Sequence, residues 1–223
     1  MAMTGLRRTS NPWWDLVRLT SMAAAMAILA LGATSARAQE SSPYLALEDL
    51  FSADFLNEPT VRESTYTTEL GIILPARVYM AEDDFGKNSV TVVDWRDSEQ
   101  LYETFLADCQ DCDGAMPNDI RGAMLHAAFG FVSRGGQVTY LGLMDTEEVE
   151  GVRIHLLNDD GSRTYGIAHW HEGRLYIVEA SAPQDAPPPN AFPVSIGFID
   201  EEGRRVRYEG RYSPLFPTPD RSR

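Results

Sequence analysis

The order of residue patterns along the chain restricts its fold more strongly than any single motif. Alternating and β-branched segments come first, a stretch of helical periodicity follows, and strand-like segments then return at short intervals. The predicted strands span residues 51–55, 61–68, 76–81 and 89–95 before the helical stretch, and residues 138–144, 152–157, 164–171 and 174–180 after it. Strands separated by such short turns pair most economically as an antiparallel meander. The pattern therefore predicts an α+β fold, an antiparallel β-sheet covered by helices.

The helical stretch divides into two predicted helices. The first covers residues 97–109 and starts with a capping-box pattern that Gln100 completes. The second carries an apolar stripe over residues 120–131 and ends at the glycine pair 135–136. Pro117 lies in the predicted loop between the two helices. The many alanines of the second helix favour close packing on a sheet.

The C-terminal part of the chain is richer in proline and in turn residues. Residues 183–189 form a rigid proline-rich connection, and residues 192–199 are expected to form a short helix with Asn190 as its N-cap. Residues 204–208 favour an edge strand. The last stretch, residues 213–223, is predicted to be a flexible tail.

An N-terminal leader precedes the fold pattern. A basic region with three arginines is followed by small apolar residues and then by Ala36-Arg37-Ala38. This is the layout of a secretory signal with an A-x-A cleavage site, and the apolar run is shorter than the ~20 residues of a membrane span. We therefore expect a signal peptide at residues 1–38, a single domain at residues 39–212 and a periplasmic or secreted location. The pair Arg7-Arg8 leaves the twin-arginine export route open, although the general route is favoured.

The charge of the chain narrows the range of partners. The formal net charge is −14, and the predicted leader carries four arginines and one aspartate, so residues 39–223 carry −17. A surface this acidic repels phosphate backbones and anionic membrane surfaces. Nucleic acid is therefore excluded as an expected partner, and no membrane span is expected after cleavage of the signal.

The two cysteines, Cys109 and Cys112, form a C-x-x-C pair at the end of the first predicted helix. Outside the cytoplasm such a pair favours a local disulfide that holds the loop between the two helices. A metal site and a redox-active dithiol are the alternatives. Aspartates flank the pair at positions 108, 111 and 113 and raise a thiol pKa, which disfavours redox catalysis.

The pair His169 and His171 supplies the other candidate ligands. Strand residues two apart point to the same face, so both imidazoles would lie together. With Cys109 and Cys112 they would complete a Cys2His2 set suited to zinc or copper. The competing interpretation, which the absence of a third nearby ligand favours, places the two histidines on an exposed strand face.

Other sources of chemistry find little support in the sequence. There is no G-x-S-x-G elbow, P-loop or dinucleotide fingerprint, and residues 158–161 are typical of a turn, not of a calcium loop. Aromatic residues recur on the predicted strands at Trp95, Tyr140, Tyr165, Trp170 and Tyr176. Most are expected in the core, and any that share one exposed face would mark a partner site.

Two phrases of the sequence resemble the PsbP-like α/β sandwich family. The opening contains FSADFLNEPTVRES, GIILPARVYMAE and SVTVVDW, and the end contains RLYIVEASAPQDAPPPNAFPVSIGFIDEEGRRVRY. The chain also resembles uncharacterised exported proteobacterial proteins with this ending. It departs from the family's opening F-P-x-x-P phrase at Leu56, where a proline is expected. The phrases are structural signatures and none of them is catalytic.

The resemblance implies a binding or accessory role, because relatives with this fold serve as a photosystem extrinsic subunit, a nuclear-import accessory and envelope proteins. We therefore expect a non-catalytic binding or accessory protein of the cell envelope, with a protein partner and no cofactor. The alternative is a metal-binding or thiol–disulfide active protein that uses the cysteine and histidine pairs.

Overall fold

A seven-stranded antiparallel sheet forms the centre of the protein. The structure, a computed structural model, describes residues 42–109, 111–214 and 216–222, so the predicted signal peptide lies outside the described residues. The strands of the large sheet are β3 (Thr60–Thr67), β4 (Ile73–Asp83), β5 (Gly86–Asp94), β6 (Gln137–Thr146), β7 (Val149–Leu157), β8 (Arg163–His171) and β9 (Arg174–Ala182), in the spatial order β3-β4-β5-β9-β8-β7-β6. The predicted α+β fold with an antiparallel sheet is confirmed.

Two runs of neighbouring strands meet in the middle of this sheet. Strands β6 to β9 form the predicted meander, and β3 to β5 form a second one. β9 joins them by pairing with β5, with Val178 opposite Val90. The tight turn between β8 and β9 needs the left-handed backbone of Gly173, whose φ is 76°. β4 begins earlier than predicted and includes Pro75, which is tolerated because the ladder to β5 starts only at Ala76.

A smaller sheet covers one face of the large one. It has the order β1-β2-β10, with β1 at Tyr44–Ala46, β2 at Phe51–Ala53 and β10 at Gly197–Phe198. Phe51 and Phe198 pack on Tyr176 of β9, with ring centroids 6.2 and 5.2 Å away. We call this side the small-sheet face.

Several C-terminal expectations were wrong in detail. The predicted helix at 192–199 ends early, as α3 (Ala191–Ser195), because Gly197–Phe198 pairs with β2 instead. Asn190 holds the N-cap position, yet its side chain makes no capping hydrogen bond. The predicted edge strand at 204–208 forms only isolated bridges, at Arg205 and Tyr208.

Two helices cover the opposite side of the large sheet, the helix face. They are α1 (Glu99–Ala107) and α2 (Ala115–Val132), as the apolar periodicity predicts. The capping box at the start of α1 was wrong, because the N-cap is Ser98 and its hydroxyl donates to the carbonyl of Trp95 at 2.6 Å. α2 starts before Pro117, which fits the first turn because no intrahelical partner is lost there.

α2 lies very close to β8. A Cβ atom at Gly166 would come within 2.6 Å of the Phe131 ring, so only glycine allows this approach. Buried alanines at positions 123, 127 and 128 line the contact side of the helix. The core is thus filled from both faces of the large sheet, with helices on one and the small sheet on the other.

The C-terminal segment returns to the body of the protein. The Glu209 N–H donates to the Asp220 carbonyl and the Ser222 N–H donates to the Arg207 carbonyl, both at 2.8 Å. The flexibility expected for residues 213–223 stays a prediction. Among the described helices, none combines the length and the apolar character that crossing a membrane requires.

Candidate functional site

The predicted ligand pair His169 and His171 lies in the core. Both residues are 0% exposed and lie on the small-sheet face, against Phe198. The expectation of an exposed strand face was wrong, because the small sheet and the segment after it cover this end of β8. His169 is held at both ring nitrogens, with Nδ1 3.0 Å from the Glu150 carbonyl and Nε2 3.1 Å from the Thr146 hydroxyl.

His171 is enclosed by aromatic rings. Its Nε2 lies 2.8 Å from the hydroxyl of Tyr208, and its ring centroid is 5.0 Å from that of Tyr212. Burial lowers the pKa of both His169 and His171 to about 4. The two imidazoles are therefore neutral at pH 7 and stabilise the fold in that form.

Cys109 and Cys112 form a disulfide, and the predicted local disulfide is therefore confirmed. Their Cα atoms are 5.6 Å apart, and the bond closes the loop between α1 and α2 on the helix face. The two histidines lie on the other side of the sheet, so the structure does not bring the four proposed ligands together. Within the described residues, no group of three or more His, Cys, Asp or Glu side chains could hold a metal ion.

The aromatic residues divide as expected, with most of them in the core. Trp95, Trp170 and Tyr176 are buried, and the first two form an edge-to-face pair with ring centroids 5.1 Å apart. Tyr140 and Tyr165 lie at the far end of the small-sheet face, where His155 stands between them and stacks on Tyr165 at 3.7 Å.

A more prominent exposed surface lies on the helix face, between α2 and β6. Its large apolar side chains are exposed to a degree unusual for a group of neighbours: Leu125 51%, Leu141 53%, Leu143 69% and Phe216 66%. A cavity of about 210 Å³ lies beside them and is lined by Leu125, Leu143 and Phe216, together with Met124, Val152, Arg121, Glu150, Ser213 and Pro214. We call these lining residues, with Leu141 beside Leu143 on β6, the α2–β6 groove.

Local structure explains the walls of the groove. Leu125 lies on α2 at the margin of the stripe that packs on the sheet. Leu141 and Leu143 alternate on β6 and lie opposite Ile154 and Val152 of β7. Ile154 in turn lies opposite Gly166, under α2, so both leucines are on the helix face. α2 stops short of β6 and leaves them uncovered.

The edge of the sheet at β6 is open as well. β6 pairs with β7 on one side, and no other described strand pairs with it. Residues 137–144 contain no charged side chain and no proline, the devices that usually protect an edge strand from pairing with another chain. A register shift between Val138 and Tyr140 interrupts the start of the strand, and the ladder is regular from there to Thr146.

A second concave surface lies at the other end of the molecule. Residues 187–189, Leu56 and Phe85 line a cavity of about 220 Å³ beside the β4–β5 turn. This volume is below the ~300 Å³ at which small-molecule sites usually begin. The strands β5 and β9 that line it each pair with two neighbouring strands, so it offers no open strand edge.

Sequence reasoning missed the α2–β6 groove. It assigned the apolar stripe of α2 correctly, but Leu125 lies just outside that stripe. The sequence signal that could have identified it is the presence of large apolar residues on α2 outside the stripe that already covers the sheet. Leu141 and Leu143 read as ordinary core positions of a strand.

Comparison with known proteins adds no assignment to this geometry. No protein family model matches the chain, and a search of curated proteins finds no significant match.

Proposed function

We propose that the protein is an exported, non-catalytic binding or accessory protein of the cell envelope, and that its protein partner binds in the α2–β6 groove. One observation carries the proposal: four large apolar side chains, Leu125, Leu141, Leu143 and Phe216, are half or more exposed along one groove beside an uncharged strand edge. Monomeric soluble proteins rarely leave such patches open, and patches of several hundred Å² usually mark interaction sites.

The size of the groove fits a protein partner better than a small ligand. Its central cavity of about 210 Å³ is small. Leu125 of α2 and Leu141 and Leu143 of β6 extend the apolar surface beyond this cavity. Large apolar and aromatic side chains of this kind dominate the energetics of protein interfaces. A long, shallow surface of this type matches the edge of a partner protein.

The alternative, a metal-binding or thiol–disulfide role, draws less support. Cys109 and Cys112 are bonded to each other, and His169 and His171 are enclosed on the opposite side of the sheet. A metal bound by all four residues would require the disulfide to be reduced and the two faces of the sheet to be rearranged.

The envelope location rests on the sequence. The leader at residues 1–38 has the layout of a secretory signal, and an oxidising compartment is where a disulfide persists. The resemblance to PsbP-like proteins supports the same role, because the relatives named above are mostly accessory or binding proteins. The α+β architecture is compatible with that family.

Site-specific photo-crosslinking in cells that export the protein tests the proposal. A photoreactive amino acid placed at Leu143 or Leu125 should give a discrete adduct of higher mass, because both positions line the groove. The matched control is Val61, an exposed apolar residue on the opposite edge strand β3, and it should give none. Adducts that are absent at both groove positions, or equal at all three positions, would show the proposal to be wrong.

A further inference from the structure

The α2–β6 groove and the open edge of β6 lie side by side, and this arrangement restricts how a partner can bind. We propose that the partner contributes an extended segment that pairs with β6 as an eighth strand, with alternating apolar side chains and a basic residue at its end. The inference rests on the proposed function, since it describes the occupant of the same groove.

The backbone of β6 can pair with one more strand. Beyond the register shift near Tyr140, the strand pairs regularly with β7 from Leu141 to Thr146. Every second residue of a strand directs its backbone N–H and C=O away from such a ladder. Along β6 these groups face outward, and an extended segment would satisfy them.

The side chains of such a segment would lie on the two faces of the sheet in turn. A segment added beside β6 would place alternate side chains on the helix face, next to Leu141 and Leu143 and below Leu125. Side chains there would fill the groove from its open side. Valine or leucine at these alternate positions would cover leucines that are now 53% and 69% exposed.

Two carboxylates near the end of β6 favour a basic residue at the end of the bound segment. Asp145 follows Leu143 on the same face and is bound only at 3.5 Å by Arg211. Glu148, just beyond the end of β6, is exposed and makes no ion pair with any residue that the structure describes. A lysine or arginine in the segment opposite these carboxylates would be attracted to them.

The same charges disfavour a second copy of this chain as the occupant. Pairing of two β6 strands would bring together two chains of net charge −14, or −17 after loss of the leader, and self-repulsion of this kind opposes association. A partner with a basic or neutral segment meets no such barrier.

A defined peptide tests the inference on the mature protein. The probe is a fluorescent peptide of sequence Lys-Thr-Val-Thr-Leu-Thr-Lys, which presents Lys, Val, Leu and Lys on one face. Its affinity is measured by anisotropy, and amide hydrogen exchange is followed with and without the peptide. We expect saturable binding, slower exchange in residues 141–146 of β6, and no change in the exchange of β3.

Two variants and two peptides make the test specific. Leu143→Lys should weaken binding about tenfold or more, because it removes apolar contact and adds charge at the groove. The matched variant Val61→Lys, on the opposite edge, should leave binding unchanged. Replacing the central valine of the peptide by proline should abolish binding, since proline cannot complete the ladder, and glutamate in place of both lysines should weaken it.

The outcomes separate this inference from the proposed function. Binding that Leu143→Lys weakens without any slowing of exchange in β6 would overturn strand addition and leave the groove as the partner site. Crosslinks from Leu143 to a second copy of this chain would overturn the choice of occupant. No binding of the peptide would refute the strand-addition model, whereas the proposed function fails only if the groove positions give no crosslinks in cells.

Discussion

The two edges of the large sheet face solvent with different chemistry. β3 carries Arg62 and Glu63 in its middle and is exposed along nearly its whole length, whereas β6 has no charge between Gln137 and Met144. Glu63 also accepts a hydrogen bond from Arg77 on β4 at 3.0 Å. Charged side chains on an edge strand discourage further pairing, so β3 is protected and β6 is open.

The layers above the two edges differ in the same way. α1 lies over β4 and β5, where Leu101 shares a narrow cleft with Leu74 and Pro75. α2 lies over β7 and β8 but leaves Leu141 and Leu143 of β6 uncovered. The open edge is therefore a property of the β6 side of the molecule alone.

The largest effect is expected from acid, on the β6 side. Burial lowers the pKa of His169 and His171 from 6.5 to about 4, so unfolding takes up protons below pH 6.5. The stabilisation is complete above pH 6.5 and is lost as the pH falls towards 4, at a cost on the order of 3 kcal/mol for each histidine. Urea unfolding at a series of pH values measures it.

A variant assigns this effect to the buried histidines and not to the many carboxylates. His171→Phe should reduce the loss of stability between pH 6.5 and 4, because it removes one of the two buried imidazoles. His169 contacts Thr146 of β6 and Glu150 of β7. On acidification the protection factors of the amides, which are corrected for the intrinsic exchange rate at each pH, should therefore fall in β6 and β7 before β3 and β4. Simultaneous loosening of both edges would contradict the asymmetry.

The second-largest effect is expected from removing the disulfide between α1 and α2. The double variant Cys109→Ser with Cys112→Ser should lower the free energy of unfolding by about 2 kcal/mol, the value expected for so short a loop. The disulfide joins α1 on the β3 side to α2 on the β6 side, so α2 should become more mobile. Thermal unfolding measures the loss, and reductant should lower the wild-type melting temperature while leaving that of the variant unchanged. Equal stability of the wild-type protein and the variant would show that the disulfide contributes nothing to the free energy of unfolding.

The smallest effect on stability comes from removing the protection of β3. The double variant Arg62→Thr with Glu63→Thr should cost only about 0.5 kcal/mol, because Arg77 keeps its contacts with Glu48 and Asp49 at 2.8 and 3.0 Å. It should nevertheless increase self-association at high protein concentration, measured by light scattering. Unchanged scattering would mean that these charges do not protect the edge.

The sequence predicted the elements of the fold well because their signals are local. Alternation and β-branched residues located eight of the strands, turn residues located the hairpins, and apolar periodicity located both long helices. The disulfide at Cys109 and Cys112 was predicted from the C-x-x-C pair together with the oxidising compartment that the leader predicts. Errors occurred where a distant segment competes for hydrogen bonds, as at Gly197–Phe198, which pairs with β2 instead of continuing a helix.

The candidate site was not predictable in this way. Alternation placed His169 and His171 on one face, but not on a face covered by the small sheet, and the exposed interpretation therefore failed. Leu141 and Leu143 have the pattern of core residues. Their exposure depends on where α2 ends its contact with the sheet, which no local pattern specifies.

The class of the fold, the pairing of neighbouring strands, the acidic surface and the local disulfide follow from the sequence, because each depends on residues close together in the chain or on composition. Which surfaces are covered depends on how distant segments pack in the folded protein. The small sheet buries the histidines, while α2 packs on Gly166 and stops short of β6. Coverage depends on contacts between distant segments, and it is this coverage that leaves the α2–β6 groove open.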